Sequence, residues 1–397
     1  MKRFPWARIG WLALLALCCC LAAASGEEAA ELTASCTFTS NANTKVFTDM
    51  LDGDVGTYFP FREKKGTLDI SAPEPIGGLS VKLFDRFGRP LSYDLQVRDG
   101  EGWTTVAQGG TYLVHWHALE TPVQEVRIAA TCKERMRIAE LRVFGVGERP
   151  SDVQEWTTLD KCDLMLLSAH PDDEILWFAG LLPTYAGERK LRVQVTVLVP
   201  TGGQRKLELL SALWHCGVTA YPHFLNLLDK NGHTPEKQYS LWKGKNRVIG
   251  RVVESFRRFK PEVVVTHGEK GEYGHGAHKT AADAAKLAYK LAAQAGKYKD
   301  SAKTWGTWQV KKLYLHEYQK NPIVCDWDQP LEAFGGKTGY QVAEEAFAFH
   351  GSQVRRDWSF EIHGAHDNAC FGLYDTKVGK DSGIGDLMEH IDTAAEE

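Results

Sequence analysis

Asp163-Leu-Met-Leu-Leu-Ser168, followed at once by Ala169-His-Pro-Asp-Asp-Glu174, decides the architecture of the larger part of this chain. The first half is a short apolar run without polar alternation, which is how a strand buried on both faces reads. The second half sets His170, Asp172, Asp173 and Glu174 close together. Placing such groups directly behind a buried strand costs desolvation and like-charge repulsion. A cation would relieve both, and histidine with carboxylate is a common zinc donor set. The plainer reading is that acidic residues merely favour a helix N-terminus.

The same grammar recurs downstream. The apolar run Pro261–Thr266 leads into His267-Gly-Glu-Lys-Gly-Glu-Tyr-Gly-His275-Gly-Ala-His278-Lys279. His275 and His278 share a face if they sit on a first helical turn. Leu191–Val199, Phe224–Leu228 and Leu313–His316 read as further strands. Glu174–Ala186, Gln204–Cys216, Asn246–Phe259 and His278–Ala295 read as helices, with Gly217 closing the second and Pro261 stopping the third. Strand and helix alternate, which predicts an α/β, Rossmann-like, doubly wound and mainly parallel sheet. Ligands bind such sheets beyond the C-terminal ends of the strands. Two strand ends that each deliver histidine therefore point to one metal site.

The preceding stretch differs. From about Cys36 to Gly147 the chain is strand-rich, with Thr67–Ile70, Leu79–Phe84, Tyr93–Val97, Glu125–Ala129 and Ile138–Phe144 separated by turn residues. An all-β sandwich is the natural solution. Gly147–Asp160, with Arg149-Pro150, reads as a linker. At the start, Lys2, Arg3 and Arg8 precede an apolar run from Ile9 to Ala24, the pattern of a signal peptide. The expected organisation is a signal segment over 1–26, a β-sandwich over 34–147, a linker over 148–160 and the α/β domain over 161–397. Export predicts a secreted or extracytoplasmic protein and an oxidising setting for its cysteines. Cys36 and Cys132, near the two ends of the sandwich, could clamp it. No CxxC pair occurs among the cysteines that follow the signal segment.

The 397 residues carry a formal net charge of −4, which removes nucleic acid and anionic membranes as partners. Nucleophilic catalysis is disfavoured, because no G-x-S-x-G elbow is present.

Two resemblances sharpen this. Ala169–Glu174 and Gly271–His278 resemble the two signatures of the PIG-L/LmbE family, whose members are mostly zinc-dependent deacetylases of N-acetylglucosamine groups. The resemblance implies that His170, Asp173 and His278 hold one zinc ion. It implies that Asp172 is the general base, and that His275 stabilises the oxyanion or protonates the leaving amine. Ala277 departs from the family pattern, so the group orienting His275 must lie elsewhere. Arg205 and Glu208 resemble a family element beside the sugar pocket, and with Tyr273 they are expected to contact substrate. His350, Ser352 and Gln353 fall in a run similar to secreted members and could line the pocket mouth. Leu51–Phe59, Gly66–Ile70, Tyr93–Trp103 and Ile138–Gly145 resemble a discoidin-type domain, a jelly roll whose members bind sugars or lipid headgroups.

The expected activity is removal of an acetyl group from an N-acetylated sugar, with a cell-surface glycan as a partner of the first domain. The alternatives are a glycan-binding protein with an inactive α/β domain, and a metal amidohydrolase acting on a non-sugar amide. Two further features are weighed. His363, His366 and Asp367 could hold a second metal. Trp103, Trp116, His115 and His117 could form a sugar platform, although core packing is the commoner use of such residues.

Overall fold

The structure, a computed structural model, describes residues 26–393 except 42–46, 62–63, 86–87, 355, 357 and 384. The expected signal segment lies outside the described residues up to Ser25.

The first unit is all antiparallel. Its strands are β1 (Thr37–Ser40), β2 (Phe59–Pro60), β3 (Thr67–Leu83), β4 (Tyr93–Asp99), β5 (Gly102–Gly109), β6 (Val114–Ala130) and β7 (Arg137–Phe144). They run in the order β2-β7-β3-β6-β4-β5, with β1 also on β3. Thr67–Ile70 and Leu79–Phe84 were expected as separate strands. They are the two ends of one 17-residue strand, broken in register between Ser71 and Gly78. Bulges of this kind bend a strand. The first half of β3 pairs with β1 and the second half with β7, so the long strand serves two half-sheets. Leu68, Ile70, Leu79, Val81, Leu95, Val126, Ile128 and Leu141 from these strands pack in one core.

The second unit contains β8 (Leu164–Ser168), α1 (Asp173–Leu176), β9 (Val193–Val197), α2 (Gly203–His215), β10 (His223–Phe224), α3 (Pro235–Leu241), α4 (Lys245–Phe259), β11 (Val263–Thr266), α5 (Gly276–Leu291) and α6 (Lys299–Trp305). Then follow β12 (Lys312–His316), β13 (Pro322–Val324), the ribbon β14 (Pro330–Leu331) with β15 (Lys337–Thr338), α7 (Gly339–Phe347), α8 (Gly351–Val354) and β16 (Cys370–Thr376). The main sheet runs β10-β9-β8-β11-β12-β16-β13. It is parallel from β10 to β12, and β16 and then β13 extend it by antiparallel pairing. Every residue of β8, β9 and β11 is buried, as the unalternating apolar runs of β8 and β11 require; in β9, Gln194 and Thr196 alternate with valines and are buried as well. The chain steps from β8 outward to β9 and β10, then crosses back to β11 and β12. The switch in direction lies between β8 and β11, where this architecture opens a crevice.

Two expectations need correction. The helix read over Glu174–Ala186 is a single turn, Asp173–Leu176, followed by bends and a wide helical turn at Pro183–Glu188. Trp327 packs so closely on Gly180 that a Cβ there would lie 2.6 Å from its ring, so the segment takes its path from tertiary contact. The Cys36–Cys132 clamp is not formed. All six described cysteines are free, and these two thiols donate to the nearby carbonyls of Leu32 and Glu134, at 3.3 and 3.2 Å.

Candidate active site

The ends of β8 and β11 are adjacent in register, Leu167 against Thr266, so the segments that follow them meet. His267 directly follows β11, and its Nε2 accepts the N–H of Ala169 at 3.0 Å. That bond ties the two strand ends together. Beyond it, a cavity of about 150 Å3 is lined by His170, Asp172, Asp173, Arg205, Tyr273 and His275, with Leu176, Asp229, Gln353 and Trp358 at its sides.

Three side chains bring four donor atoms together, the two histidines facing different oxygens of Asp173. His170 Nδ1 lies 3.3 Å from Asp173 Oδ2, His278 Nε2 lies 3.4 Å from Asp173 Oδ1, and the two nitrogens are 3.4 Å apart. A tetrahedral cation with bonds of about 2.05 Å requires neighbouring donors roughly 3.3 Å apart. The donor set therefore fits such an ion in chemistry and spacing. The tautomers agree as well. Glu272 Oε2 sits 2.7 Å from His278 Nδ1, so that nitrogen carries the proton and Nε2 turns a lone pair inward. His267 is also near Asp173, at 3.4 Å. Its Nε2 lone pair is already used by the Ala169 N–H, so it is not offered to a cation.

Asp172 begins α1 with a φ of 110°, a strained value for a residue with a side chain. Glu174 holds it there by accepting the Asp172 N–H at 2.8 Å, and His350 Nε2 lies 2.6 Å from the other Glu174 oxygen. Burial pushes the Asp172 carboxyl up to about 7, while Arg205, 3.0 Å away, pulls the other way. A carboxylate near neutrality is suited to taking and returning a proton.

His275 is the N-cap of α5. Its Nδ1 accepts the backbone N–H of Ala277 at 3.2 Å, so the orienting group absent from the Ala277 side chain is supplied by the Ala277 backbone. Burial, and then the neighbouring His278 and His170, hold its pKa down at about 3. The ring is neutral with Nδ1 occupied as acceptor, which leaves Nε2–H as a donor.

Arg205 lines the cavity and also donates to the Pro171 carbonyl. Tyr273 lines the cavity and is half exposed. Glu208, expected at the sugar, is buried off the cavity. It takes the N–H and hydroxyl of Ser352, at 2.8 and 2.6 Å, and so holds the turn that presents Gln353. His350 serves Glu174, not the pocket mouth. His363 and His366 are paired separately, with Asp367 and Glu317, and do not converge. In the first unit, Trp103 is not in the core: it lies half-buried beneath Arg127, 4.2 Å from its ring centre. Trp116 packs on Phe144, and His115 stacks on His117, so these rings are not free to act as a platform. The sequence alone assigned no role to His267, Glu272, His316, Trp177 or Trp358. Of these, only His267 carried a signal, its place immediately after an apolar strand.

Fold and site together define an α/β protein with a histidine–carboxylate nest at its topological switch point. The comparisons with known proteins narrow this: residues 165–289 match the family model described as PIG-L: GlcNAc-PI de-N-acetylase. The chain is 25% identical over 211 residues to a 1D-myo-inositol 2-acetamido-2-deoxy-alpha-D-glucopyranoside deacetylase 1 of Catenulispora acidiphila, covering 46% of this chain and 63% of that protein. To the corresponding deacetylase of Salinispora arenicola it is 27% identical over 276 residues, 58% of this chain and 89% of that one. A solved N,N'-diacetylchitobiose deacetylase from Pyrococcus horikoshii aligns with a TM-score of 0.38 and 15% identity over 48% of this chain and 70% of its own.

Proposed function

We propose that this chain is a zinc-dependent deacetylase of N-acetylated sugars of the N-acetylglucosamine type, with His170, Asp173 and His278 holding one zinc ion. The observation that carries the reading is that Asp172 and His275 line the same small cavity as His170 and Asp173, with His278 within 3.4 Å of both of these. The match over residues 165–289 and the deacetylase names of the relatives support it. When bound, such an ion polarises an amide carbonyl and lowers the pKa of water. The chain's own residues do the rest. Asp172 takes the proton of the attacking water, and the Arg205 guanidinium fixes the carboxylate that does so. His275 Nε2–H donates to the amide oxygen as it gains negative charge. Asp172 then returns the proton to the departing amine, which could not leave as an anion. Glu174 and His350 hold the backbone that aims Asp172. We further read residues 34–147 as a discoidin-like sandwich that retains an exported enzyme near a cell-surface glycan.

The test is Asp172→Asn. It keeps every donor atom, so bound zinc should persist while acetate release falls by about a thousandfold. Rates within a few-fold of wild type, with metal retained, would overturn the assignment.

A further inference from the structure

We infer that an aromatic recess beside the acetamido cavity is a stacking subsite for a second sugar ring, so that the substrate is a glycan of at least two residues. This rests on the sugar-deacetylase reading above. Next to the catalytic cavity lies a second one of about 180 Å3, lined by Leu176, Trp177, Trp358, Ser359, Glu361 and His366 among others. Leu176 and Trp358 line both cavities, so the two are neighbours that share a wall. Each alone is below the ~300 Å3 lower end of small-molecule sites, and a two-ring substrate would span both.

The junction is built of rings. The centroids of Tyr273 and Trp358 are 5.4 Å apart, and those of Trp177 and Tyr273 are 5.7 Å apart. Tyr273 is 50% exposed and Trp358 39%, so both rings keep aromatic face open to solvent at this junction. Tyr273 is also strained, with a φ of 43°. Its N–H donates to His366 Nε2 at 2.8 Å, and His366 Nδ1 lies 2.8 Å from Glu317. A strained residue held by a two-bond tether is preorganised, and strain of this kind collects at ligand clamps. The recess is not aliphatic. Aromatic faces suit the C–H face of a pyranose, while Ser359 and Glu361 at its edge can meet hydroxyl groups. An acyl chain would use neither polar group.

The experiment compares acetate release from N-acetylglucosamine and from N,N'-diacetylchitobiose, using the zinc-loaded full chain and its Trp358→Ala and Trp358→Phe variants. The disaccharide should be preferred by about tenfold or more in kcat/KM. Trp358→Ala should remove most of that preference through KM, and Trp358→Phe should keep most of it. An absent preference, or an equal loss on both sugars in Trp358→Ala, overturns the subsite. If neither sugar is turned over, the deacetylase reading fails, and calorimetry on Asp172→Asn decides the subsite alone. Disaccharide binding that is lost on adding Trp358→Ala supports it, and no binding at millimolar sugar overturns it. Preference for an N-acetylglucosaminyl lipid that is insensitive to Trp358→Ala also overturns it.

Discussion

Glu272 is fully buried and lies 2.6–2.7 Å from the Nδ1 atoms of His267, His278 and His316. It also accepts the Gly268 N–H at 3.2 Å. One carboxylate thus fixes the tautomer of a proposed metal donor, of the brace that joins two strand ends, and of a histidine on β12. Burial alone would raise its pKa, but the surrounding imidazoles hold it well below the usual carboxylate range. Glu272→Gln turns at least one acceptor into a donor facing an N–H, so one ring must flip or lose its partner. Metal affinity should fall by about ten- to a hundredfold while the fold survives, measured by competition with a chromophoric chelator. Unchanged affinity would mean that Glu272 is only packing. Much of this scale was legible in the sequence. The Ala169–Glu174 and Gly271–His278 motifs contain every residue of the donor set, together with Asp172 and His275. Glu272 and His316 were not legible, because their contact spans 44 positions and exists only once β11 and β12 pair.

Strands were read better than the first helix. An apolar run such as β8 states its burial directly, whereas Glu174–Ala186 has helical composition but takes its shape from Trp327 packing on Gly180. The 17-residue strands β3 and β6 were read as fragments, because bulges interrupt the alternation that marks a strand. Those strands also bury opposing titrations. His117 Nε2 on β6 lies 2.7 Å from the Tyr93 hydroxyl, and burial holds its pKa down at about 4. Glu140 on β7 is pushed up to about 7, by burial first. The unfolded-state values are about 6.5 and 4.3. His117 therefore withdraws stability as pH falls from 6.5 to 4, and Glu140 withdraws it as pH rises from 4.3 to 7. In the wild type these slopes oppose each other. Glu140→Gln should unmask the histidine, and the unfolding free energy of the first unit from urea titration should then drop between pH 6.5 and 4 by about 1.4 kcal/mol per pH unit. A flat profile in that variant would contradict a neutral buried His117.

At the scale of the molecule, the two units are joined through the start of α2. Lys206 lies 2.7 Å from Asp85 of the first unit in a buried pair, and Gly203 is so close to the Asp85 backbone that a Cβ would lie 2.8 Å from its carbonyl oxygen. The same helical turn carries Arg205, which holds Asp172. Position in the sheet explains why the site is where it is: the switch between β8 and β11 opens a crevice, and both motifs follow those strands. That much follows from alternation and strand ends in the sequence. The docking of the β unit on α2 does not, because nothing in the strand pattern of residues 34–147 says which face is sticky.

The most direct test of the account is acetate release from N,N'-diacetylchitobiose by chelator-stripped protein, before and after one equivalent of zinc. The account predicts negligible release from the stripped chain, recovery at about one zinc per chain, and no recovery in His278→Ala. Release that survives stripping, or fails to appear with zinc bound, would contradict it.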